Sequence, residues 1–269
     1  MRVLIISDME GVAGIVNGSQ TNAGQPLYEE GRKLYTEEIN AAVRGAKAAG
    51  AAEVVVMDHH GAGGGFSFNS LVPELLHPDC EFVVQQEWTQ YTAALEAGAD
   101  ACLLVGMHAR NGTPDGVLNH TVSGRTWQNL WFNDTLVGET GINAAFCGTW
   151  GCPVVLVTGD EATGREARAL LGDALETVTV KWGITATSAR NLAPVRAREL
   201  IEAGARRALE GRSGRLPYDP GSPCEIRVEF KSTDGVEQYR NRRGVEVLDP
   251  RMIVSRADTW WAAWNQFFF

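Results

Sequence analysis

The apolar residues of this chain form short aliphatic runs that alternate with segments of helical spacing. Runs of mainly β-branched and aliphatic residues predict strands at 3–6, 53–57, 81–84, 100–106 and 153–158. Apolar positions three or four residues apart predict helices at 28–49, 70–76, 91–97, 139–151 and 161–171. This alternation predicts an α/β fold with a mostly parallel sheet flanked by helices.

The pattern changes after residue 172. A half-exposed strand at 176–181 and an Arg-rich amphipathic helix at 194–210 are followed by a loop rich in Gly and Pro. Further strands are predicted at 225–230 and 252–255, before a terminal helix that contains Trp260, Trp261 and Trp264. We therefore predict an α/β metal-binding catalytic domain over residues 1–172 and a smaller α+β C-terminal unit, residues 173–269, packed on it.

Charge and cysteine usage narrow the range of partners. The chain has 269 residues and a formal net charge of -9, which argues against nucleic acid and anionic membrane surfaces as partners. The basic cluster of Arg240, Arg242 and Arg243 is the local exception. Its five cysteines include no C-x-x-C pair, and no apolar segment is long enough for a signal peptide or a membrane span. These features favour a cytoplasmic protein with reduced thiols.

The first strand runs directly into Ser7-Asp8-Met9-Glu10-Gly11. Because side chains alternate along an extended backbone, Asp8 and Glu10 point the same way at the carboxyl edge of the predicted sheet. Two carboxylates so placed suit a divalent metal ion. On spacing alone, a polar surface loop is an equally good interpretation.

The ends of later strands add further polar groups to the same edge. Asp58, His59 and His60 follow the second strand, His108 follows the strand at 100–106, and His120 ends the loop after it. Glu139 lies in the first turn of the helix predicted at 139–151. The remaining histidine of the five in the chain, His77, is predicted to have a structural role in an ordinary loop. The clustering favours a functional site over four separate structural histidines.

This donor set has more members than one zinc ion needs. A catalytic zinc takes three protein ligands and a water, so a larger set of carboxylates and imidazoles predicts two metals that share a bridging carboxylate. The imidazoles favour zinc over magnesium. Two metals about 3.5 to 4 Å apart polarise a carbonyl and lower the pKa of a water, which suits hydrolysis of an amide or a phosphate ester. A non-catalytic peptide-binding protein is the alternative from another class.

Two other features have weaker interpretations. The segment 61–65 lacks the Lys and Ser/Thr of a phosphate-binding loop and is predicted to be a flexible lid. The terminal tryptophans and Phe267-Phe268-Phe269 are predicted to belong to the core or to a subunit contact.

Five motifs in order resemble one known family, the zinc-dependent D-aminopeptidases of the dipeptide transport protein type. Together they are specific, and the resemblance extends from the N-terminus to about Ala169 and more loosely to the end. The motifs are Ser7-Asp8-Met9-Glu10-Gly11, Asp58-x-His60, Gly106-x-His108-Ala109-Arg110, Asn119-His120 and Gly138-Glu139-x-Gly141-x-Asn143-Ala144.

The resemblance implies a role for each of these positions. It implies a dinuclear zinc centre, with two Zn2+ per subunit and Asp8 as the bridge, held by Asp8, Glu10, His60, His108 and Glu139. It also implies that His120 is the catalytic residue. The residues expected to contact substrate or to support the ligands are Asp58, His59, Arg110, Asn119 and Asn143.

The expected activity is that of an aminopeptidase acting on short peptides or amino-acid amides, including those with a D-residue at the N-terminus. Another two-metal amidohydrolase or phosphoesterase is the alternative. The family also implies a ring-like homo-oligomer around an inner chamber, with a decamer as the candidate assembly. Two departures stand out: His59 occupies a position where a small residue such as Ser is expected, and the loop between His108 and His120 is one residue longer, around Asp115.

Overall fold

The computed structural model describes residues 1–86, 89 and 91–268. Its strands are β1 (Arg2–Ser7), β2 (Glu53–Asp58), β3 (Glu81–Val83), β4 (Ala101–Met107), β5 (Trp127–Phe132), β6 (Thr135–Val137), β7 (Val154–Asp160), β8 (Glu176–Thr185), β9 (Ser188–Asn191), β10 (Cys224–Phe230), β11 (Val245–Asp249) and β12 (Met252–Ala257). Its α-helices are α1 (Gly18–Thr21), α2 (Tyr28–Ala48), α3 (Ala93–Glu96), α4 (Glu139–Thr149), α5 (Glu161–Leu171), α6 (Pro194–Glu210), α7 (Asp234–Glu237) and α8 (Trp260–Asn265).

A seven-stranded sheet forms the centre of the fold, in the order β3-β2-β1-β4-β7-β8-β9. All neighbours in it are parallel except β8 and β9, which pair antiparallel. Side chains alternate between its two faces: Val3 and Ile5 pack with α2 and α6, whereas Leu4 and Ile6 face the opposite layer. Burial on both faces explains why the central strands are continuous apolar runs. The predicted α/β fold is confirmed.

The opposite layer is a five-stranded antiparallel sheet in the order β11-β12-β10-β5-β6. Its apolar side chains, such as Ile226 and Val228 of β10, share one core with α4, α8 and the parallel sheet. Neither sheet follows the predicted boundary at residue 172, because β8 and β9 join the parallel sheet and β5 and β6 join the antiparallel one. The division of the chain into two domains stays a prediction.

Several predicted elements differ from the observed ones. The helix predicted at 70–76 is only a 3-10 turn at Pro73–Leu75. The Arg32 side chain occupies the Ser70 and Leu71 carbonyls, which a helix there would use as acceptors, and the Ser70 amide donates to Asp58. The helix predicted at 91–97 is limited to α3, and the terminal helix, which the sequence pattern predicts from residue 257, begins at Trp260. The sequence patterns did not predict α1, β9, α7 and β11.

The cysteines agree with the sequence analysis. All five are free thiols, four of them buried and Cys80 half-buried. Within the described part of the chain, we find no helix with the length and apolar character that crossing a bilayer requires.

Candidate metal centre

Two glycines let the ends of β1 and β4 come into direct backbone contact. Gly106 has a φ of +74°, and a Cβ atom on it would lie 2.1 Å from the Asp8 carbonyl oxygen. A Cβ atom on Gly11 would lie 1.9 Å from the Met107 carbonyl oxygen. The Asp8 and Gly11 amides donate across this contact to the carbonyls of Val105 and Gly106 at 2.9 and 2.8 Å. Only residues without a side chain fit here, so the glycines allow Asp8 to meet the polar end of β4.

Asp8 lies between two histidines from different strand ends. Its Oδ1 is 3.0 Å from His60 Nδ1, and its Oδ2 is 3.2 Å from His108 Nε2. Two more carboxylates complete the cluster: Glu10 Oε2 is 3.1 Å from His60 Nδ1, and Glu139 Oε1 is 3.3 Å from His108 Nε2. The side chains of Asp8, Glu10, His60 and His108 are almost completely buried.

His120 lies at the more exposed side of the cluster. Its Nε2 is 3.7 Å from Glu139 Oε1, and its side chain is 22% exposed. Its ring stacks on that of His108, with 4.1 Å between the centroids. Ligand atoms that lie within 4.8 Å of one another form two overlapping sets, one from Asp8, Glu10 and His108 and one from His108, His120 and Glu139.

A backbone carbonyl fixes the second ring nitrogen of each histidine in the cluster. His60 Nε2 is 2.8 Å from the Thr21 oxygen, His108 Nδ1 is 2.9 Å from the Ala109 oxygen, and His120 Nδ1 is 2.8 Å from the Leu118 oxygen. Because a carbonyl only accepts, each of these nitrogens carries its hydrogen. In a neutral ring the other nitrogen, which faces the carboxylates, then offers a lone pair. This is the arrangement found for metal-ligating histidines.

The charges of the cluster favour a cation. Burial alone would raise the pKa of Asp8, but His108 and His60 hold that pKa well below its usual value. Burial would lower the pKa of His60 and His108, but Glu10 and Asp8 around His60, and Glu139 and Asp8 around His108, raise both well above the usual value. Buried lone pairs that face carboxylates are stable only with a positive charge between them, either ring protons or a metal ion that replaces them.

The donor atoms of the cluster also suit a metal ion. Among the described residues, Glu10 Oε2 and His108 Nε2 are buried atoms that make no hydrogen bond despite their close neighbours. Oxygen and imidazole nitrogen donors together suit zinc.

Three of the residues expected around the centre lie next to it. Asp58 accepts hydrogen bonds from the Tyr35 hydroxyl and the His60 amide, both at 2.9 Å, and so holds the backbone that carries His60. His59 Nδ1 lies 3.0 Å from Asn143 Oδ1, and both side chains line the cavity beside the cluster. Burial lowers the pKa of His59 to about 4, which leaves its ring neutral at pH 7.

Arg110 and Asn119 do not line this cavity. Arg110 donates its amide to Glu166 and lines a separate cavity with Glu166 and Arg165. The Asn119 side chain accepts from the Gly112 amide and donates to the Gly116 carbonyl. It therefore holds together the loop that precedes His120, and its predicted role in substrate contact stays a prediction.

The cavity joins a polar end to an aromatic end and has a volume of about 230 Å³. Asp8, Glu10, His120 and Glu139 line its polar end. The other end includes Trp260, Trp261 and Trp264, which the sequence analysis assigned to the core or a subunit contact. Trp260 and Trp264 are buried in the core and also line the cavity. Of the predicted terminal aromatic group, Phe269 lies outside the described residues.

Lys181 of β8 holds the loop that follows the first motif, a role that the sequence did not reveal. Its fully buried Nζ donates to the carbonyls of Glu10, Val12 and Ile15 at 2.5, 2.9 and 2.6 Å. Three acceptors match the three hydrogens of an ammonium group. Burial lowers the pKa of Lys181 to about 8, although Asp160 and Glu38 oppose this shift.

We expect Lys181→Met to destabilise the protein by about 1–3 kcal/mol, because it leaves buried carbonyls without a donor. The folded-state pKa of about 8 lies below the usual 10.5. The unfolded chain therefore binds more protons between these values, and stability rises with pH across that window. This rise should be smaller in the variant. Denaturant unfolding between pH 7 and 10.5 measures both effects.

The matched control for this substitution is Lys231→Met, which removes an exposed lysine that donates to a single carbonyl, that of Gly124. It should change neither stability nor its pH dependence measurably. Equal unfolding free energies and equal pH slopes for wild type and Lys181→Met would contradict the role given to Lys181.

A parallel sheet that carries carboxylates and histidines in contact at its carboxyl edge is typical of α/β metallohydrolases. Comparison with known proteins then identifies the family. The model of the Peptidase M55 family, the D-aminopeptidases, matches residues 1–269, and the chain belongs to this family.

A sequence comparison and a structure comparison support this assignment. The D-aminopeptidase of Bacillus subtilis (strain 168) is 29% identical over 248 residues, which cover 92% of this chain and 88% of the relative. The solved structure of the Zn-dependent D-aminopeptidase DppA from Bacillus subtilis, a self-compartmentalizing protease, matches with a TM-score of 0.89 and 27% identity. That match covers 99% of this chain and 95% of DppA. The predicted family and the predicted aminopeptidase class are confirmed.

Proposed function

We propose that this chain is a dinuclear zinc aminopeptidase that hydrolyses short peptides or amino-acid amides, including those with a D-residue at the N-terminus. The observation that carries the proposal is the position of Asp8, whose two carboxylate oxygens face different carbonyl-fixed histidines at 3.0 and 3.2 Å. A carboxylate shared in this way suits a bridge between two ions. The zinc dependence of DppA supports the choice of metal.

The ligands in this proposal are Asp8, Glu10, His60, His108 and Glu139, with Asp8 shared. Zinc, when bound there, polarises a carbonyl oxygen and lowers the pKa of water. The carbonyls of Thr21 and Ala109 keep the rings of His60 and His108 in the tautomer that presents a lone pair to the centre.

His120 handles the proton in this proposal. Its Nδ1 hydrogen is held by the Leu118 carbonyl, so Nε2 is the atom that would take a proton from the attacking water and give it to the leaving amine. The partial exposure of the ring lets this atom reach a substrate in the cavity. The free amino group of the substrate would lie at the polar end, against the metal centre and the carboxylates that hold it, which would make the enzyme specific for unblocked N-termini.

The cavity favours peptides over phosphate esters, the other two-metal chemistry. None of the described residues that line it is Lys or Arg. Phosphoryl transfer relies on positive side chains in addition to metal ions to hold the charged group.

The assembly and location of the enzyme belong to the same proposal. DppA is a self-compartmentalizing protease, and we infer for this chain a ring-like homo-oligomer, with a decamer as the candidate, that encloses its active sites. Such an enclosure would allow only short peptides to reach the active sites. The net charge of -9 argues against nucleic acid and membrane surfaces as partners. The free thiols support a cytoplasmic location.

The test combines metal analysis with a substrate panel. We expect about two zinc ions per chain, hydrolysis of D-Ala-D-Ala and D-alaninamide, and no hydrolysis of N-acetylated D-Ala-D-Ala. Removal of metal with a chelator should abolish activity, and added zinc should restore it. Full activity of the metal-free protein, or hydrolysis of p-nitrophenyl phosphate alone, would refute the proposal. Tight peptide binding by the zinc-loaded protein without turnover would instead indicate a binding protein.

A further inference from the structure

Six large aromatic side chains line the cavity beside the donor cluster. We use the name aromatic wall for Phe68, Phe146, Trp260, Trp261, Trp264 and Phe268, all of which line the cavity. Three elements that are distant in sequence supply it: the loop after β2, helix α4, and helix α8 with the residues after it.

Contacts among its rings hold much of the aromatic wall in place. The Trp260 and Trp264 rings stack with centroids 5.5 Å apart, and Trp264 lies 5.2 Å from Phe268. Trp261 lies 5.7 Å from Phe146. Helix α8 begins with a side-chain cap, in which Thr259 Oγ1 accepts from the Ala262 amide at 3.2 Å. A surface already packed in this way needs little ordering when a ligand binds.

The aromatic wall and the donor cluster line one cavity, so a single small molecule can contact both. In an aminopeptidase substrate, the α-amino group, the side chain and the scissile carbonyl all diverge from one Cα atom. A carbonyl placed at the cluster, with its amino group near the carboxylates, leaves the third substituent for the apolar end. The cavity volume of about 230 Å³ is several times the roughly 30 Å³ that one water occupies in the liquid. A methyl group would leave most of this apolar surface uncovered.

We propose that the aromatic wall selects substrates whose N-terminal residue has a large apolar side chain, such as phenylalanine or leucine, over alanine. This specificity rests on the proposed aminopeptidase function. Burial of one large apolar side chain typically changes kcat/KM by about tenfold to two-hundredfold. The expected preference for D-Phe-D-Ala over D-Ala-D-Ala is therefore at least about tenfold.

The test compares both substrates in wild type and in Trp261→Ala. The Trp261 side chain lines the cavity and is only partly buried, and its truncation should lower the Phe/Ala ratio of kcat/KM about tenfold, mainly by raising KM for the larger substrate. Trp261→Phe should restore part of the ratio. Ile142→Ala, at another lining position on α4, gives a second variant that should lower the ratio if Trp261→Ala does not fold.

Trp131→Ala is the matched control, because Trp131 is a partly buried tryptophan on β5 that does not line the cavity. It should keep the wild-type ratio. Equal or better hydrolysis of D-Ala-D-Ala by the wild type, or an unchanged ratio in Trp261→Ala and Ile142→Ala, would overturn the proposal. The same comparison with the L-dipeptides shows whether the preference depends on stereochemistry.

If the aminopeptidase function itself is wrong, the zinc-loaded protein cleaves neither dipeptide, which distinguishes this outcome from a failure of the specificity alone. Calorimetric binding of D-phenylalaninamide and D-alaninamide then gives the same comparison without turnover. Tighter binding of the phenylalanine compound, weakened by Trp261→Ala, would support the specificity on its own. Equal affinities would overturn it.

Discussion

Replacing Asp8 by Asn is expected to remove both ions of the proposed zinc centre and to lower kcat/KM by about a thousandfold or more. The two oxygens of Asp8 lie 3.0 and 3.2 Å from ring nitrogens of His60 and His108, on the two sides of the centre. An amide offers only one oxygen and no negative charge, so one variant would weaken both ion sites. Loss of metal catalysis worth about 4 kcal/mol corresponds to roughly a thousandfold in rate.

Zinc per chain, measured by mass spectrometry, and kcat/KM for D-Ala-D-Ala are the two readouts for this variant. Asp160→Asn is the matched control. Asp160 is a buried carboxylate at the end of β7, which is separated from β1 by β4, and it accepts from the Thr163 and Val117 amides at 2.8 and 2.6 Å. That control should keep both zinc ions. Two zinc ions per chain in Asp8→Asn, with activity within tenfold of wild type, would remove Asp8 from its proposed role.

The donor cluster could be predicted from sequence because a simple rule places its members. Parallel strands end at one edge of a sheet, so residues directly after β1, β2 and β4 were expected at that edge. They come into contact because these three strands are neighbours in the order β2-β1-β4. The observed positions of Asp8, His60 and His108 follow this rule. Helices α5 and α6 were predicted with their observed bounds for a similar local reason, since their amphipathic spacing and terminal signals lie within the helices themselves.

Features that depend on contacts between distant segments could not be predicted in this way. Lys181 looked like one residue of a half-exposed strand, yet its acceptor on Glu10 is 171 residues away in the sequence. The aromatic wall depends on the packing of α8 beside α4, and no spacing rule connects these helices. The membership of β5 and β6 in the second sheet is set by the pairing of β5 with β10. The sequence therefore indicated the chemistry of the site but not the shape of its cavity.

His120→Ala is expected to keep both zinc ions while kcat falls by about 10²–10⁴-fold, the usual range for loss of a general acid or base. The 3.7 Å from His120 Nε2 to Glu139 Oε1 exceeds the distances within the buried cluster, and the ring is more exposed than that of His108. The longer distance and the greater exposure suit a residue that contacts the substrate. Zinc analysis and steady-state kinetics of the same preparation measure the two quantities.

His77→Ala provides the matched control, because His77 lies in the loop next to Cys80 and does not line the cavity. Loss of one zinc ion per chain in His120→Ala would instead make His120 a ligand together with His108 and Glu139, the other set that the distances allow.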